Sequence, residues 1–412
     1  MNKNVPKLRF KGFEDEWIEK RLGELDINLI RGPFGSALKK ECMVPKGENT
    51  FKVYEQKHAI KKINNIGEYY IDKNKFEELK RFSVNPGDFI MSCSGTIGEI
   101  FKIPIGSEKG VINQALLKIE IGTKLNEDFF LYCFKKNLDN LETKGSGIKN
   151  ITSVKFLKED FLTKIPSLEE QEKIADFFTI LDSLIEEQEG KVRDLEIYKK
   201  GMMQKIFKQE IRFKDDNGLD YPEWEEKRIK DIGVIMSGIG FSEKYQGHKN
   251  LDYKIFKVSD MNLIGNEKVM TISNNTISEE IVKQMKASLI EGNSIIFAKV
   301  GAAIFLERKR IVKEKFLIDN NMMAINIYNN NNLYFCYYIL NSLRLSKYAQ
   351  IGALPSYNSS DIGSIKIKIP IFQEQTKIAN FLSNIDNLIE EEQKNLDDLR
   401  EMKKGLLQQM FV

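Results

Sequence analysis

Two near-identical stretches decide the fold of this chain: residues 165–177 read IPSLEEQEKIADF, and residues 369–381 read IPIFQEQTKIANF. Glu170 of the first copy and Glu374 of the second lie 204 positions apart. In the first copy Ser167 stands three positions before Glu170, which is the spacing of a capping box at a helix start. A long apolar periodicity follows each copy, so the sequence predicts two long helices that begin in the same way.

The repeat extends beyond these helices. The only two tryptophans, Trp17 and Trp224, lie in the matching runs EWIEKRL and EWEEKRI, and residues 51–53 and 256–258 both read FKV. A glycine-containing run at 86–98 also corresponds to one at 291–304. The chain therefore reads as two variable globular parts, each followed by a conserved tail. The predicted segments are 1–166, 167–210, 211–370 and 371–412.

Each tail carries a heptad seam that two polar residues interrupt. The first seam consists of Ile174, Phe178, Leu181, Ile185, Gln188, Val192, Leu195, Lys199, Met202 and Ile206, and the second of Ile378, Leu382, Ile385, Ile389, Glu392, Leu396, Leu399, Lys403, Leu406 and Met410. One antiparallel register places Lys199 opposite Glu392 and also Gln188 opposite Lys403. We therefore predict an intramolecular antiparallel coiled coil in this register. The alternative is that each helix packs on its own globular part.

Composition limits the class of protein. The 412 residues include 63 Lys and Arg against 60 Asp and Glu, a net charge of +3, and 42% of residues are hydrophobic. This length and apolar content allow at least two cores, and the charge balance argues against a dedicated polyanion binder. No apolar run approaches the roughly 18 residues of a membrane span, and no apolar segment follows the first lysines. We expect a cytoplasmic protein that does not contact membranes.

Catalytic signatures are lacking in the sequence. The four cysteines are far apart and only two histidines are present, so we expect free thiols and no metal site. Neither a P-loop nor a dinucleotide-binding glycine motif occurs. Residues 85–88, NPGD, only approach the motif of amino-methyltransferases, because the second proline and the aromatic residue are absent. The sequence therefore predicts a chain without an active site.

Short apolar runs and Gly or Asn turns give the globular parts an α+β texture. The predicted fold is thus α+β, with two pseudo-symmetric mixed domains separated by the two long helices. Loops rich in basic, amide and hydroxyl side chains occur at 31–40, 145–150, 242–246 and 354–360. Lys and Arg can hold a phosphate backbone, and Asn, Gln, Ser and Arg can read base edges in the major groove. Such loops suit contacts with DNA, although polar loops are ordinary solvated surface in most proteins, and the residues alone leave both readings open.

The chain resembles the specificity subunits of type I restriction-modification systems over essentially its whole length. The resemblance rests on the opening PKLRF at 6–10 with Trp17, on the run from Gly87 to Gly98, and above all on the repeated helix start at 165–175 and 369–379. In that family, two target-recognition domains each read one half of a split DNA sequence, and two helical repeats space them.

The resemblance also implies partners and cofactors. The family's subunits bind double-stranded DNA, two modification (methyltransferase) subunits and motor-nuclease restriction subunits. S-adenosylmethionine, ATP and Mg are then expected in those partners, which would carry adenine-N6 methyltransferase and ATP-dependent endonuclease activities. The resemblance implies no cofactor in this chain and no catalysis by it.

The candidate DNA contacts combine lysines for phosphates with amides and hydroxyls for bases. They are Arg31, Ser36, Lys39, Lys40, Thr96, Lys149 and Asn150 in the first domain, and Lys244, Tyr245, Lys299, Ser356, Tyr357 and Asn358 in the second. Two other functions remain open at this point. The chain could be a coiled-coil scaffold that tethers two binding modules, or a stand-alone DNA methyltransferase.

Overall fold

The structure is a computed structural model that describes residues 4–143, 153–350, 352 and 354–412. The described α-helices are α1 (Gln56–Lys61), α2 (Lys73–Glu78), α3 (Glu127–Thr143), α4 (Val154–Glu159), α5 (Leu168–Phe207), α6 (Ile229–Ile232), α7 (Glu279–Gln284), α8 (Leu333–Ser342), α9 (Ser359–Gly363) and α10 (Phe372–Met410). Short 3-10 helices occupy Leu22–Glu24, Gly35–Ala37, Lys40–Cys42, Lys80–Phe82, Glu243–Tyr245, Val258–Asn262, Ala302–Leu306 and Leu345–Tyr348.

The strands of the first half are β1 (Ile18–Arg21), β2 (Ile27–Arg31), β3 (Thr50–Tyr54), β4 (Tyr70–Asp72), β5 (Ser83–Val84), β6 (Phe89–Ser92), β7 (Ile100–Lys102), β8 (Gly110–Ile112), β9 (Leu116–Ile121) and β10 (Leu162–Ile165). Those of the second half are β11 (Glu225–Arg228), β12 (Gly233–Ser237), β13 (Tyr253–Phe256), β14 (Thr276–Ile277), β15 (Ser294–Ala298), β16 (Lys309–Val312), β17 (Phe316–Ile318), β18 (Met322–Ile327) and β19 (Lys366–Ile369).

The chain divides into two compact units that do not coincide with the predicted segments. Unit 1 comprises Met1–Gln188 and Asn395–Val412, and unit 2 comprises Glu189–Lys394. Each unit therefore takes in part of both long helices, α5 and α10.

Unit 1 contains two four-stranded sheets. One has the order β2-β9-β6-β7 and is antiparallel throughout, and the other has the order β4-β3-β8-β5, with β3 and β8 parallel. All four residues of β6 are buried, as expected for a strand whose two faces are covered. Trp17 is buried beside the rings of Phe129 and Phe411, at centroid distances of 5.8 and 6.0 Å.

Unit 2 repeats this topology with a different sequence. Its sheets have the orders β12-β18-β15-β16 and β14-β13-β17, and β13 is again parallel to β17. All five residues of β15 are buried, and Trp224 meets Phe335 as Trp17 meets Phe129. The predicted α+β class with two pseudo-symmetric mixed domains is confirmed.

The two long helices pair within each unit. In unit 1 Asp182 of α5 forms an ion pair with Lys403 of α10, and in unit 2 Lys199 of α5 forms one with Asp386 of α10. The first half of one helix thus contacts the second half of the other, as antiparallel pairing requires. The apolar seam positions that are buried are Ile174, Phe178, Leu181, Ile185, Val192, Ile206, Ile378, Leu382, Ile385, Leu396 and Met410.

The partners of the seam lysines differ from those that the sequence suggested. The structure pairs Lys199 with Asp386 and Lys403 with Asp182, and the heptad pattern had singled out neither aspartate. The opposition of Lys199 with Glu392 and of Gln188 with Lys403 stays a prediction. The reason for the difference is reach: a lysine side chain crosses the seam and meets a carboxylate on the flank of the facing helix.

Three features bear on the chemistry of the chain. Cys42, Cys93, Cys133 and Cys336 are free thiols. Across the described residues, no cluster of His, Cys, Asp or Glu side chains is suited to a metal ion, and every helix is too short or too polar to span a lipid bilayer.

Candidate nucleic-acid interface

Four strands of unit 1 end at one place. The parallel pairing of Tyr54 with Ile112 puts the ends of β3 and β8 side by side, and the turn after β8 connects to β9. The amide of Gly32 donates to the carbonyl of Leu116 at 2.9 Å, and that of Cys93 donates to Ala115 at 2.8 Å, which brings the ends of β2 and β6 to the same turn. We refer to residues 31–36, 55–56, 93–98 and 113–115 as strand-end surface 1.

Glycine makes this convergence possible. A Cβ atom on Gly32 would lie only 1.9 Å from the carbonyl oxygen of Asn113, so only glycine lets the two backbones approach this closely. The turn after β6 has Gly95 at φ +64° and Gly98 at φ +86°, conformations that other residues adopt with strain. The serine hydroxyl of Ser92 closes this turn by donating to the carbonyl of Thr96 at 2.6 Å.

The structure brings three of the predicted contacts of the first domain to strand-end surface 1. Ser36 and Thr96 are exposed there, whereas Arg31 is half-buried beneath it, with Nη1 lacking a hydrogen-bond partner among the described residues. Burial raises the pKa of the neighbouring Cys93 thiol to about 11, and the Arg31 guanidinium opposes that rise. Arg31 therefore places positive charge under the surface.

The other predicted residues of the first domain lie elsewhere. Lys39 and Lys40 are exposed further along the same loop, after Leu38, whose side chain is buried against the second sheet. Lys149 and Asn150 lie outside the described residues. All of these contacts with DNA stay predictions.

Unit 2 builds the same surface from other residues. The amide of Gly238 donates to Met322 at 3.1 Å, that of Lys299 to Asn321 at 2.8 Å, and that of Asp319 to Phe256 at 3.0 Å. A Cβ atom on Gly238 would lie 1.7 Å from the carbonyl oxygen of Asp319, which repeats the close approach of Gly32. Strand-end surface 2 comprises residues 237–240, 257, 299–301 and 319–321.

Lys299 and Ser356 come together on this side of unit 2. Lys299 directly follows β15, and the next residue, Val300, forms a bridge with Ser356. Lys244 and Tyr245 lie on a separate segment, where the Lys244 ammonium is 4.5 Å from the ring centroid of Tyr245. A bond of 3.1 Å from Lys257 to the Gln246 side chain ties this segment to the end of β13.

Two predicted contacts in unit 2 have structural roles. Tyr357 is only 4% exposed, and its ring packs edge-on against Phe297, so its predicted DNA contact is wrong for this conformation. Its ring packs into the core of unit 2, because burial of an aromatic surface of that size is favourable. Asn358 is exposed, but its side-chain oxygen accepts from the amide of Asp361 at 2.8 Å and caps α9.

Sequence reasoning missed several side chains of these surfaces. Gln56 and Gln114 lie on strand-end surface 1, where a Cβ atom on Gly95 would be 3.6 Å from the Gln56 amide and one on Gly35 would be 3.9 Å from that of Gln114. Asn320 and Asn321 are exposed on strand-end surface 2. The repeat offers a sign of them, since each of these residues lies two or three positions after the end of a strand, near a matched position.

The helical side of unit 1 carries a polar cluster. The Tyr132 hydroxyl donates to Oδ2 of Asp182 at 2.6 Å, and Lys403 forms its ion pair with the same carboxylate. The Lys403 ammonium also lies 5.2 Å from the Tyr132 ring centroid. Since the three residues belong to α3, α5 and α10, the cluster joins the globular part of unit 1 to both long helices.

Unit 2 has the equivalent cluster. Tyr338 of α8 donates to Asp386 at 2.5 Å, and Lys199 and Lys268 both pair with this carboxylate. Burial favours the neutral form of Asp386, but hydrogen bonds from Lys199, Lys268 and Tyr338 outweigh it and hold the pKa of Asp386 below the ordinary value. Burial also raises the pKa of the Tyr338 hydroxyl, and its bond to Asp386 adds to that rise.

Each cluster borders an open cavity. The cavity of unit 1 has about 630 Å³ and is lined by five cationic side chains and one carboxylate, which are Lys135, Lys136, Arg400, Lys403, Lys404 and Asp182. The cavity of unit 2 has about 610 Å³ and is lined by three cationic side chains and four carboxylates, which are Lys199, Lys200, Lys268, Glu196, Glu267, Asp386 and Glu390. Equivalent positions in the two units therefore differ in charge.

The repeated architecture matches a known family. Residues 15–196 and 221–400 match the type I restriction modification DNA specificity domain, one match for each half of the chain. The chain belongs to this family. The resemblance predicted from the sequence is thus confirmed, and each DNA specificity domain contains one strand-end surface.

Curated relatives of this DNA specificity family cover most of the chain. The type I restriction enzyme MjaVIII specificity subunit of Methanocaldococcus jannaschii is 26% identical over 81% of each chain. The putative MjaX specificity subunit of the same organism is 24% identical over 98% of this chain and 95% of the relative.

Solved structures share the fold. The S subunit of a type I restriction-modification system from M. genitalium has a TM-score of 0.52 at 14% identity and covers 99% of both chains. A chain solved in work on complex assembly and conformational transition of the type I R-M system has a TM-score of 0.58 at 14% identity. It covers 96% of this chain and 97% of its own.

Proposed function

We propose that the chain reads a bipartite DNA target as the non-catalytic specificity subunit of a type I restriction-modification complex. One observation carries this proposal: the two strand-end surfaces share a backbone architecture but differ in almost every exposed side chain. Surfaces with one architecture and different side chains suit two different half-sites, because side chains on a fixed frame determine the bases read. The antiparallel helices would set the gap between the half-sites.

The partners of this function would be duplex DNA, modification subunits and restriction subunits. The relatives are named as specificity subunits of type I restriction enzymes, and that name supports a division of labour. The modification subunits would then supply S-adenosylmethionine and adenine methylation, and the restriction subunits would supply ATP, Mg and cleavage.

Mapping of methylated adenines tests the function. Genomic N6-methyladenine is mapped in cells that express the modification subunits with or without this chain, and a two-part motif should be present only with the chain. Thr96→Ala and Asn320→Ala, which remove a hydroxyl and an amide from the two strand-end surfaces, should each alter one half of the motif, and a different half in each case. Lys73→Ala is the control, because Lys73 is exposed after β4, at the end of the sheet remote from strand-end surface 1. A motif that persists without the chain would refute the proposal.

The long helices offer a repeated surface for two copies of one partner. Leu184 and Leu388 occupy equivalent positions 204 residues apart and are 46% and 48% exposed. Tyr198 and Met402 are a second equivalent pair, at 51% and 47%. Exposed apolar side chains that recur by the internal symmetry are expected where the same partner docks twice.

Charge substitutions test this docking. Leu184→Glu and Leu388→Glu should each leave a complex with one modification subunit, and the double variant should leave none, as measured by native mass spectrometry of the co-purified complex. Ile105→Glu is the control, since Ile105 is 96% exposed in the turn after β7 and belongs to neither long helix. Two subunits bound to both single variants would exclude these positions as docking sites.

A further inference from the structure

Phe34 is the most exposed aromatic side chain of the described residues. It is 88% exposed, whereas the next phenylalanine, Phe305, is 61% exposed. A phenylalanine that stays in water lacks the favourable burial of its ring. The exposure of Phe34 bears on function because its loop belongs to strand-end surface 1.

The loop that carries Phe34 is held in place on both sides. Before it, Gly32 is bound to Leu116 and packed against Asn113, and Pro33 is buried. After it, the amide of Ala37 donates to the carbonyl of Phe34 at 2.8 Å, and Leu38 enters the core. The backbone at residue 34 is therefore held in place, and in this position the Phe34 ring stays almost fully exposed.

The neighbours of Phe34 indicate which kind of ligand suits this surface. Ser36, Ser94, Thr96 and Gln114 are exposed polar side chains of the same surface, and Arg31 lies beneath it. An apolar protein partner would need a contiguous apolar patch, which strand-end surface 1 does not provide within the described residues. Duplex DNA fits better, because it presents base stacks and thymine methyl groups next to hydrogen-bonding edges and phosphates.

Unit 2 differs at this very position. The matched glycines Gly32 and Gly238 align Phe34 with Gly240, which has no side chain. The aromatic residue of unit 2, Phe241, comes one position later and packs partly buried against the cluster around Ile255 and Leu317. The same loop thus leaves its aromatic ring exposed in one unit and packs it, partly buried, in the other.

We infer that Phe34 makes an apolar contact with the base pairs of the half-site read by unit 1 and determines specificity at one position of that half-site. The inference rests on the proposed DNA reading. It assigns to Phe34 a role that Gly240 does not have in the other half-site.

The test compares Phe34→Ala with Ile105→Ala. Both residues are almost fully exposed, but Ile105 lies in the turn after β7, at the opposite end of the sheet from strand-end surface 1. Each variant is expressed with its modification subunits, and genomic N6-methyladenine is mapped. We expect Phe34→Ala to relax one base position of one half-site, with discrimination there about tenfold weaker, the order typical of one recognised base pair. The other half-site and the Ile105→Ala motif should be unchanged.

A binding assay gives a second readout. The purified complex with its modification subunits is titrated with a duplex that carries the mapped motif and with a duplex altered at the relaxed position. The ratio of the two affinities should fall about tenfold in Phe34→Ala and stay the same in Ile105→Ala. Phe34→Leu, which keeps an apolar side chain, should retain part of the discrimination.

The outcomes separate this inference from the proposed function. A motif that does not depend on the chain would refute the proposed function itself. A motif that depends on the chain but is identical in Phe34→Ala and the wild type would overturn only the role of Phe34. Equal loss of methylation at all sites, or relaxation of both half-sites, would also overturn it.

Discussion

At the scale of single residues, Asp182 and Asp386 make equivalent contacts in the two units. Each carboxylate accepts a hydrogen bond from a tyrosine hydroxyl in the globular part of its unit and forms an ion pair with a lysine of the facing long helix. Their exposure to solvent differs: the Asp386 side chain is 8% exposed, and that of Asp182 is 37% exposed. An ion pair with less solvent around it is screened less, so the two clusters should not stabilise equally.

Removal of the two charges should show this difference. We expect Asp386→Asn to lower the free energy of unfolding by about 3 kcal/mol, because two lysines lose their partner in a buried site. Asp182→Asn should cost about 1 kcal/mol. Chemical denaturation measures both. The exposed aspartates Asp194 and Asp398, on the same helices, provide matched Asn controls that should change stability by less than about 0.5 kcal/mol. Equal losses in all four variants would contradict the assignment.

The lowered pKa of Asp386 also predicts a pH dependence. A carboxylate whose pKa is lower in the folded state contributes stability above its unfolded pKa, and that contribution is lost as the pH falls through the folded pKa. Between about pH 5 and pH 3, around and below the ordinary aspartate pKa, the wild type should lose stability more steeply than Asp386→Asn. Denaturation curves across this range measure the two slopes. Parallel slopes would exclude Asp386 as a source of the acid sensitivity.

Lys39 is expected to contact phosphate rather than bases. Lys39→Ala should weaken the binding of all duplexes by a similar factor and should reduce the slope of log affinity against log salt by about 1. Titrations of the complex between low and moderate salt measure that slope. Lys73→Ala should leave it unchanged, and a Lys39→Ala variant that altered only the motif would refute the phosphate role.

Single residues were the hardest to predict from the sequence. Ser36 and Thr96 are exposed, as short polar residues beside glycines in turns usually are, and their contact with DNA stays a prediction. Tyr357 was misplaced because a loop composition does not tell which of its aromatic residues turns inward. Asp182 was missed because the heptad pattern considers only the residues in the seam.

At the scale of elements, the two long helices followed directly from the sequence. The repeated helix start, with a capping pattern in the first copy, and the apolar seam predicted both helices, and most of the apolar seam residues are buried. The convergence of strand ends could not be predicted, because it depends on the parallel pairing of β3 with β8 and of β13 with β17. Those strands are distant in the chain, and local patterns carry no information on such pairing.

Two glycines inside the long helices give a prediction at this scale. Gly201 and Gly405 are helical, and a Cβ atom on either would meet nothing within 4 Å. Gly201→Ala and Gly405→Ala should therefore each raise the free energy of unfolding by up to about 1 kcal/mol, because alanine is the better helix former. Thermal and chemical denaturation of the chain measure this. A loss of stability in either variant would show that the space beside the glycine is not open.

At the scale of the whole molecule, the repeat preserves the frame and varies the charge. The cavity residues of unit 1 all have counterparts in unit 2, but the charges differ. The cavity of unit 1 is lined by five cations and one carboxylate, and the equivalent cavity of unit 2 by three cations and four carboxylates. Such a difference changes the electrostatic part of binding without changing the shape.

The two helical faces should consequently respond differently to salt. Leu388→Glu keeps the docking position at Leu184 in unit 1, and Leu184→Glu keeps the one at Leu388 in unit 2. If the same modification subunit docks at both positions, its affinities for the two variants should depend on salt concentration with different slopes. Calorimetric titrations at several salt concentrations measure the slopes, and the sign of their difference reports the charge of the docking partner. Identical slopes would show that the charged cavities take no part in docking.

Unit 1 consists of two stretches of chain that are separated by the whole of unit 2, and this affects when each unit can be completed during synthesis. Phe411 packs against Phe129, Phe178 and Trp17, so the aromatic cluster of unit 1 includes a residue from beyond the whole of unit 2. At about 5–20 residues per second, a ribosome needs roughly 10–40 s to add the intervening Glu189–Lys394 segment. During that time the cluster lacks part of its cover, whereas unit 2 is built from one continuous stretch. The unit that is translated first is thus the one that is completed last.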